Sequence, residues 1–599
     1  MNLFVLCWNL PGQRVGEALS EFRQMAEVYP QLDPSTCRHL GGAGVLAAWM
    51  HTPERAAAPR RYVARENGQV TLYDGTILDR TAAFPAHDAR QLDAHWERLP
   101  DVLQGQFTVA RVTEDPATLE LMTDSLGMHQ VYYHRQGETW LISNSVAVLV
   151  RITKVSEFDP LGVSMLLSQT WVWDDRTLRR GTRTIPGGQR WKWPAGAREP
   201  VKEVYFSPAS LRNRRQRRMG PAGAQRLAGD LTKSCRILAD HFGRLHCPIT
   251  GGRDSRVLAS LLIRGQIPAR FSTEGAPSSM DIEIASDIAR TFALPYEVEH
   301  KTVEDIVEKW DSASRRLVRQ GDGMINLWQI SDVIQQPAGI DRLDVVLSGL
   351  GGEIARGNYY QPNDIVQRRG PEDVIRLMTD KLVLNCDGLV RPEVKQASRA
   401  HLRQYMQRVF DEGFSPFDAL DVFYTYQRVG RWGGSLLRRA APISDPFLPL
   451  CTRPFVEAAF SMPARYRCCH SLHYQLIRLL APRLMKFPFD KGSWRSQWPL
   501  INLLQWLLER FGKKAGQLLG GSGGDRALRP PGFDHAAWLE AEHSWIREIC
   551  LGQGSSVLWD FINRPMFERI LSDPGAPELR RKYRLGIYSI ATLFCYAAN

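Results

Sequence analysis

A chain of 599 residues is longer than one hydrophobic core usually organises, so two or more domains are expected. Its 44% hydrophobic and 23% charged residues are those of an ordinary soluble globular protein, and no stretch approaches the ~18 uncharged residues of a membrane span. The net charge of +12 is modest for this length and does not by itself indicate nucleic acid.

The opening "MNLFVLCWNL" is apolar but short and lacks a basic leader, so it reads as a first strand and not a signal peptide. The first ~200 residues read as β-rich. "QVTLYDGTILD" and the long stretch from "GQFTVARV" to "WLISNS" alternate apolar and polar positions between Gly, Asp and Pro turns. "IPGGQRWKW" ends this region, and the basic run "LRNRRQRRMG" (Leu211 to Gly220) reads as a solvated connection at a domain boundary.

From about Gly220 the period changes. Leu227, Leu231, Cys235 and Leu238 mark one helical face, followed by a short strand "CPIT". Val257, Leu258, Leu261 and Leu262 make a second helical stripe, closed by Gly265. The strand "ARFSTEG", a helix with Ile284, Ile288 and Phe292 on one face, and the strands "PYEVEH" and "DVVLSG" follow. Such alternation predicts a parallel sheet covered by helices, with ligands at the carboxyl ends of its strands. Beyond Gly357 the chain reads as mostly helical, and "GQLLGGSGGDRALRPPGFD" reads as a loop or lid.

Ten cysteines without a C-x-x-C pair suggest neither a disulfide framework nor a zinc ribbon; reduced thiols lead us to expect a cytoplasmic location. Cys468, Cys469, His470 and His473 are metal-ligating types, but they are too crowded to wrap one ion without a second cluster.

The chemistry-bearing stretch is "TGGRDS", between a strand and a helix. Glycines let backbone N–H groups crowd against a ligand, and a helix N-terminus favours anions. It lacks the lysine and the spacing of a Walker loop. It also reads, more plainly, as a tight turn with a capping residue.

"TGGRDS" resembles the SGG-x-D-S pyrophosphate loop of ATP pyrophosphatases. "FSTEGAPSSMDIEIASDIARTF", "VVLSGLGGEIARGNYY" and "ISDPFLPLCTRPFVEAAF" follow it in the order found in the asparagine synthetase family. "LMTDSLGMHQVYYH" and "ISNS" look like the glutamine-amidotransferase domain attached to those enzymes.

The resemblance implies a mixed α/β architecture of two domains. Residues 1–205 would be a β-rich, Ntn-hydrolase-like, glutamine-amidotransferase-like domain. Residues 220–599 would be an ATP-pyrophosphatase synthetase domain with a parallel sheet and many helices. It implies ATP and Mg²⁺ as cofactors. Thr250, Gly251, Gly252, Asp254, Ser255, Thr273, Glu274, Ser348 and Gly349 would contact ATP or its pyrophosphate, and Asp254 and Glu353 the metal. Lys491 would be the late catalytic lysine, with Lys486 as the substitute.

Three departures refine this reading. The family's nucleophilic cysteine after Met1 is here Asn2, and Cys7 lies within a strand pattern, so no glutaminase activity is expected. The glutamine-binding "NG" is Asp74–Gly75. The "SGEG" glutamate is Leu350. Adenylation parts remain while ammonia-handling parts do not. That combination resembles enzymes which activate a carboxylate and let an amine of the same substrate attack it, most of all the lasso-peptide macrolactam synthetases.

The expected substrate is then a precursor peptide, whose Asp or Glu side chain condenses with its own N-terminal amine. A leader-peptide protease encoded nearby is an expected partner; nucleic acid and membrane are not. The alternatives are a related ligase acting on another carboxylate, and a pyrophosphate-loop enzyme that modifies RNA.

Overall fold

The computed structural model describes residues 2–56, 61–212, 219–243, 245–277, 279–330, 345–367, 369–440, 444–489, 498–518, 535–573 and 575–598. The N-terminal part is two stacked six-stranded sheets with helices on both outer faces. Strands β1 (Asn2–Leu10), β2 (Arg38–Gly41), β3 (Gly44–His51), β8 (Tyr132–Gln136), β9 (Thr139–Ser143) and β10 (Thr182–Thr184) form one sheet, in the order β10-β8-β9-β1-β3-β2. The other holds β4 (Val63–Glu66), β5 (Gln69–Asp79), β6 (Leu103–Glu114), β7 (Ala117–Thr123), β11 (Gln189–Trp193) and β12 (Val201–Val204), in the order β12-β11-β7-β6-β5-β4.

Strand β1 shows why its sequence is continuously apolar: both of its faces are covered. Leu3, Val5 and Cys7 face the layer of helices Gly12–Arg23 and Val146–Thr153, while Phe4, Leu6 and Trp8 meet Val70, Leu72 and Leu119 of the second sheet. The far face of that sheet, with Tyr73, Ile77, Phe107 and Val109, packs on Leu92 and Trp96. Strand β12 was not foreseen from sequence. It is an exposed edge strand throughout and carries no burial signal.

The C-terminal part is built on a parallel sheet of β13 (Leu245–Pro248), β14 (Ala269–Gly275), β15 (Tyr296–His300), β16 (Val345–Leu347) and β17 (Asp445–Phe447). Helix Pro221–Phe242 buries Leu227, Leu231, Cys235 and Leu238, and helix Arg253–Gly265 buries Val257, Leu258, Leu261 and Leu262. Both stripes are the ones expected from their spacing. The first parallel strand begins two residues earlier than "CPIT": it ends at Pro248, and Thr250 already belongs to the loop.

After Gly357 the described elements are helical apart from β17. Residues 213–218 of the basic run and 519–534 of the expected loop or lid lie outside the described residues. No described helix is long and apolar enough to cross a membrane.

The two parts meet over a broad contact. Tyr62 donates from its hydroxyl to Asp445 (3.1 Å), and Gln106 accepts from the Leu448 amide (2.9 Å). Asp322, fully buried, accepts from the Val146 and Ala147 amides at 3.1 Å each and pairs with Arg438 at 2.5 Å.

Candidate active site

The parallel sheet runs β15-β14-β13-β16-β17. Chain order proceeds outward from β13 through β14 to β15, then returns to the other side of β13 with β16. The carboxyl ends of β13 and β16 therefore flank the point where strand order reverses, where open α/β sheets hold ligands. The loop after β13 is Ile249–Gly252 and that after β16 is Ser348–Gly351, so topology alone brings "TGGRDS" and "SGLGGE" together.

Gly252 caps helix Arg253–Gly265 from an extended conformation. Thr250 and Ser255 hydroxyls lie 3.1 Å apart, the Gly252 amide donates to Thr250 Oγ1 (3.0 Å), and the Gly251 amide donates to the Asp281 carboxylate (2.7 Å). The loop thus already holds an anion, one supplied by the first turn of helix Met280–Phe292.

The carboxylates of Asp254 and Glu353 share one guanidinium. Arg356 Nη2 lies 2.8 Å from Asp254 Oδ2 and 2.7 Å from Glu353 Oε1. The other oxygen of Asp254 meets His473 Nε2 at 2.7 Å. Burial works against the charge on Asp254, but Arg356 and His473 outweigh it and hold the carboxyl below its usual range. Glu353 goes the other way: burial first, then the nearby Asp254 charge, raise it. Burial lowers His473 and so favours neutral imidazole. Of the Glu353 oxygens, Oε2 is buried without a hydrogen-bond partner among the described residues.

Two glycines make this approach possible. A Cβ on Gly352 would lie 2.0 Å from Asp254 Oδ1, and one on Gly351, at φ +93°, would lie 2.3 Å from Cys451 Sγ. Leu350 is partly buried; its carbonyl accepts from the Cys451 thiol (3.2 Å), and a Cβ on Gly433 would come within 3.0 Å of its side chain.

The other expected site residues are distributed differently. The Thr273 hydroxyl is buried and donates to the Ile249 carbonyl, and Glu274 pairs with Lys301. Ser348 Oγ accepts from the Leu350 amide at 3.2 Å, and Gly349 packs beside Asp254 and Ser255. Lys486 is exposed, and Lys491 lies outside the described residues. His473 belongs to Asp254 and not to a cysteine–histidine centre; both Cys468 and Cys469 thiols donate to the Arg465 carbonyl. Among the described residues no group of three or more His, Cys, Asp or Glu is arranged to hold a metal.

Sequence reading missed Arg356 and the loop contact of Asp281, and it grouped His473 with Cys468, Cys469 and His470 instead of with Asp254. Arg356 lies three residues beyond Glu353, a spacing that could have shown it; His473 is 219 residues from Asp254 and gave no signal.

No family model and no curated protein matches the chain. Among solved structures, a glutamine phosphoribosylpyrophosphate amidotransferase from B. subtilis, complexed with ADP and GMP, matches at 11% identity and a TM-score of 0.22. The match covers 50% of this chain and 65% of that one, just under two thirds of its length. A structure described as the allosteric regulatory enzyme of purine biosynthesis matches at 9% identity and a TM-score of 0.22, over 50% and 80% of the two chains.

The N-terminal part holds a second polar cluster. The Asn2 amide donates to Asp74 Oδ1 (3.0 Å), the Asn144 side chain donates to the Asn2 carbonyl (2.6 Å), and His129 Nε2 lies 3.0 Å from Asp74 Oδ2. Asp74, His129 and Asn144 border a cavity of about 30 Å³, which Arg438 and Asp445 close from the C-terminal part. Asn2 is 3% exposed, and burial pushes the Cys7 thiol up to about 12.

Proposed function

We propose that this chain is an ATP- and Mg²⁺-dependent ligase that forms an amide bond by adenylating a carboxylate. The observation that carries the reading is the meeting of Asp254 and Glu353 across the reversal point of a parallel sheet, at the mouth of a glycine loop that opens a helix.

The residues fit the implied cation. Two carboxylates offer charged oxygen, and the unpartnered Glu353 Oε2 is an acceptor whose burial needs a positive partner. Mg²⁺ bound by Asp254 and Glu353 would neutralise phosphate charge. Thr250, Gly251, Gly252 and Ser255 would hold pyrophosphate oxygens, which compete with Asp281 for the Gly251 amide. Arg356 keeps the two carboxylates from repelling one another, and neutral His473 fixes the rotamer of Asp254. Leu350 supplies an apolar wall beside the reacting groups, where a carboxylate would oppose the adenylate phosphates.

The carboxylate belongs, in this proposal, to an Asp or Glu side chain of a precursor peptide. The peptide's own N-terminal amine closes the macrolactam, as in lasso-peptide maturation, with AMP as leaving group. Holding both ends in one site makes the condensation intramolecular. The chain needs no ammonia, in keeping with Asn2 tied into the Asp74–Asn144 cluster. All ten cysteines are free thiols, which suits the proposed cytoplasmic location.

The test is purified protein with ATP, Mg²⁺ and the short peptide encoded beside it. The expected outcome is AMP and pyrophosphate in step with a peptide product lighter by one water. ADP with orthophosphate would reject adenylation, and AMP formation with another carboxylate only would reject the peptide.

A further inference from the structure

A cavity of about 430 Å³ lies away from the glycine loops, lined among others by Gln169, Trp171, Tyr359, Lys381, Arg428 and Arg584. Three cations line it and no acidic side chain does. Among the described residues none of the three forms an ion pair; Lys381 donates to the Tyr359 carbonyl (2.6 Å) and Arg584 to the Arg581 carbonyl (3.2 Å).

Arg428 is held by the faces of two indoles, its guanidinium carbon 3.6 Å from the Trp432 ring centre and 4.8 Å from that of Trp171. Stacking occupies the faces of a guanidinium and leaves its N–H edge, the part that recognises planar or tetrahedral oxyanions. Burial works against the charge of Arg428 and of Lys381 alike, and a bound anion would relieve both.

Independently of the cations, two deeply buried donors point to a missing acceptor. Gln169 is 1% exposed and Trp171 3% exposed, yet Gln169 Nε2 and Trp171 Nε1 find no hydrogen-bond partner among the described residues. The Gln169 carbonyl oxygen is already taken by Trp173 (2.5 Å), which fixes the amide so that its donor end is the free one. Buried donors left unpaired cost roughly 1–3 kcal/mol each, so such a pair in one cavity marks a ligand's place. Leu382, Leu384 and Leu585 supply the apolar remainder of the lining.

We propose that this cavity is a binding site for a small organic anion, a carboxylate or phosphate monoester on an apolar body, held by Arg428, Lys381 and Arg584 with Gln169 and Trp171 as neutral donors. The site is separate from the glycine loops: the Tyr359 and Tyr424 rings, 5.4 Å apart, lie between the cavity and Glu353. The proposal does not depend on adenylation.

Calorimetry of the full chain without ATP tests it, using phenyl phosphate, phenylacetate and the uncharged phenylethanol. At least one anion should bind about tenfold or more tightly than phenylethanol, and the tighter of the two identifies the oxyanion. Arg428→Gln should lose that preference. Arg584→Ala, at an exposed position, should weaken the anion severalfold with an unchanged melting temperature. Equal binding of anion and alcohol, no binding of either anion at millimolar concentration, or unaltered affinity in both variants would overturn the site. Failure of AMP formation, read separately, would leave this result untouched.

Discussion

Gly352 decides whether the two carboxylates can meet. With 2.0 Å between a would-be Cβ and Asp254 Oδ1, Gly352→Ala must push the carboxylate off both His473 and Arg356. Displacement of a reacting group by about 1 Å costs on the order of a hundredfold in rate, so ATP turnover should fall by about that factor. Gly229→Ala is the control: it sits exposed in helix Pro221–Phe242 with nothing within 4 Å, and should stabilise by about 1 kcal/mol, read as a higher melting temperature.

The pH dependence follows from the same residues. His473 is lowered below 6.5 in the fold, so its contribution to stability is fully present above 6.5 and is lost as pH falls through the depressed value. His473→Gln should flatten that acid-side loss of melting temperature. Glu353 is raised above 4.5, so its contribution is present below 4.5 and is lost as pH rises through the raised value. Glu353→Gln, which removes a charged ligand for Mg²⁺, should abolish turnover, and retained turnover would remove Glu353 from that role.

Among the elements, the wide-turned helix Tyr424–Gly433 touches the Glu353 region, the cation-lined cavity and the N-terminal part. Its hydrogen bonds follow the π pattern, a geometry enriched at functional sites. Tyr424, Arg428 and Trp432, four apart, serve respectively the Glu353 region, the cation-lined cavity and the stack on Arg428. Its glycines let it press onto the N-terminal part. A Cβ on Gly430 would lie 2.6 Å from the Leu126 carbonyl, and one on Gly434, just past its end, 2.5 Å from the Met128 carbonyl. Backbone cannot yield as a flexible side chain does, so Gly430→Ala should destabilise by about 1–3 kcal/mol, measured by chemical denaturation. An unchanged midpoint would mean that this contact is loose.

Across the whole molecule, Asp322 and Arg438 join the two parts. Asp322 receives two amides at the start of helix Val146–Thr153 and pairs with Arg438, which follows the wide-turned helix. Removing one partner strands a buried charge, so Asp322→Ala should cost about 3–5 kcal/mol. Because the pair spans the two parts, the loss should appear as separation of two unfolding transitions in calorimetry. The N-terminal part itself should release no glutamate from glutamine, since Asn2 is 3% exposed and tied to Asp74; any glutamate release would contradict that.

Local pattern carried much of this molecule. The helical stripes at 227–238 and 257–262 and the strand "ARFSTEG" are set by period and turn residues, properties of adjacent positions, whereas β5, read as alternating, is buried on both faces by layers that only the tertiary structure supplies. The turn from the glycine loop into its helix was legible for the same reason, since that geometry sits within six residues of chain. What stayed hidden depends on distance along the chain. His473 reaches Asp254 from 219 residues away, and Gln169, Lys381, Arg428 and Arg584 meet in one cavity from four separate helices. Sequence fixes which groups a chain owns and which local turns they favour; only the packing of helices and the order of strands in the sheet decides which of those groups share a wall and a charge.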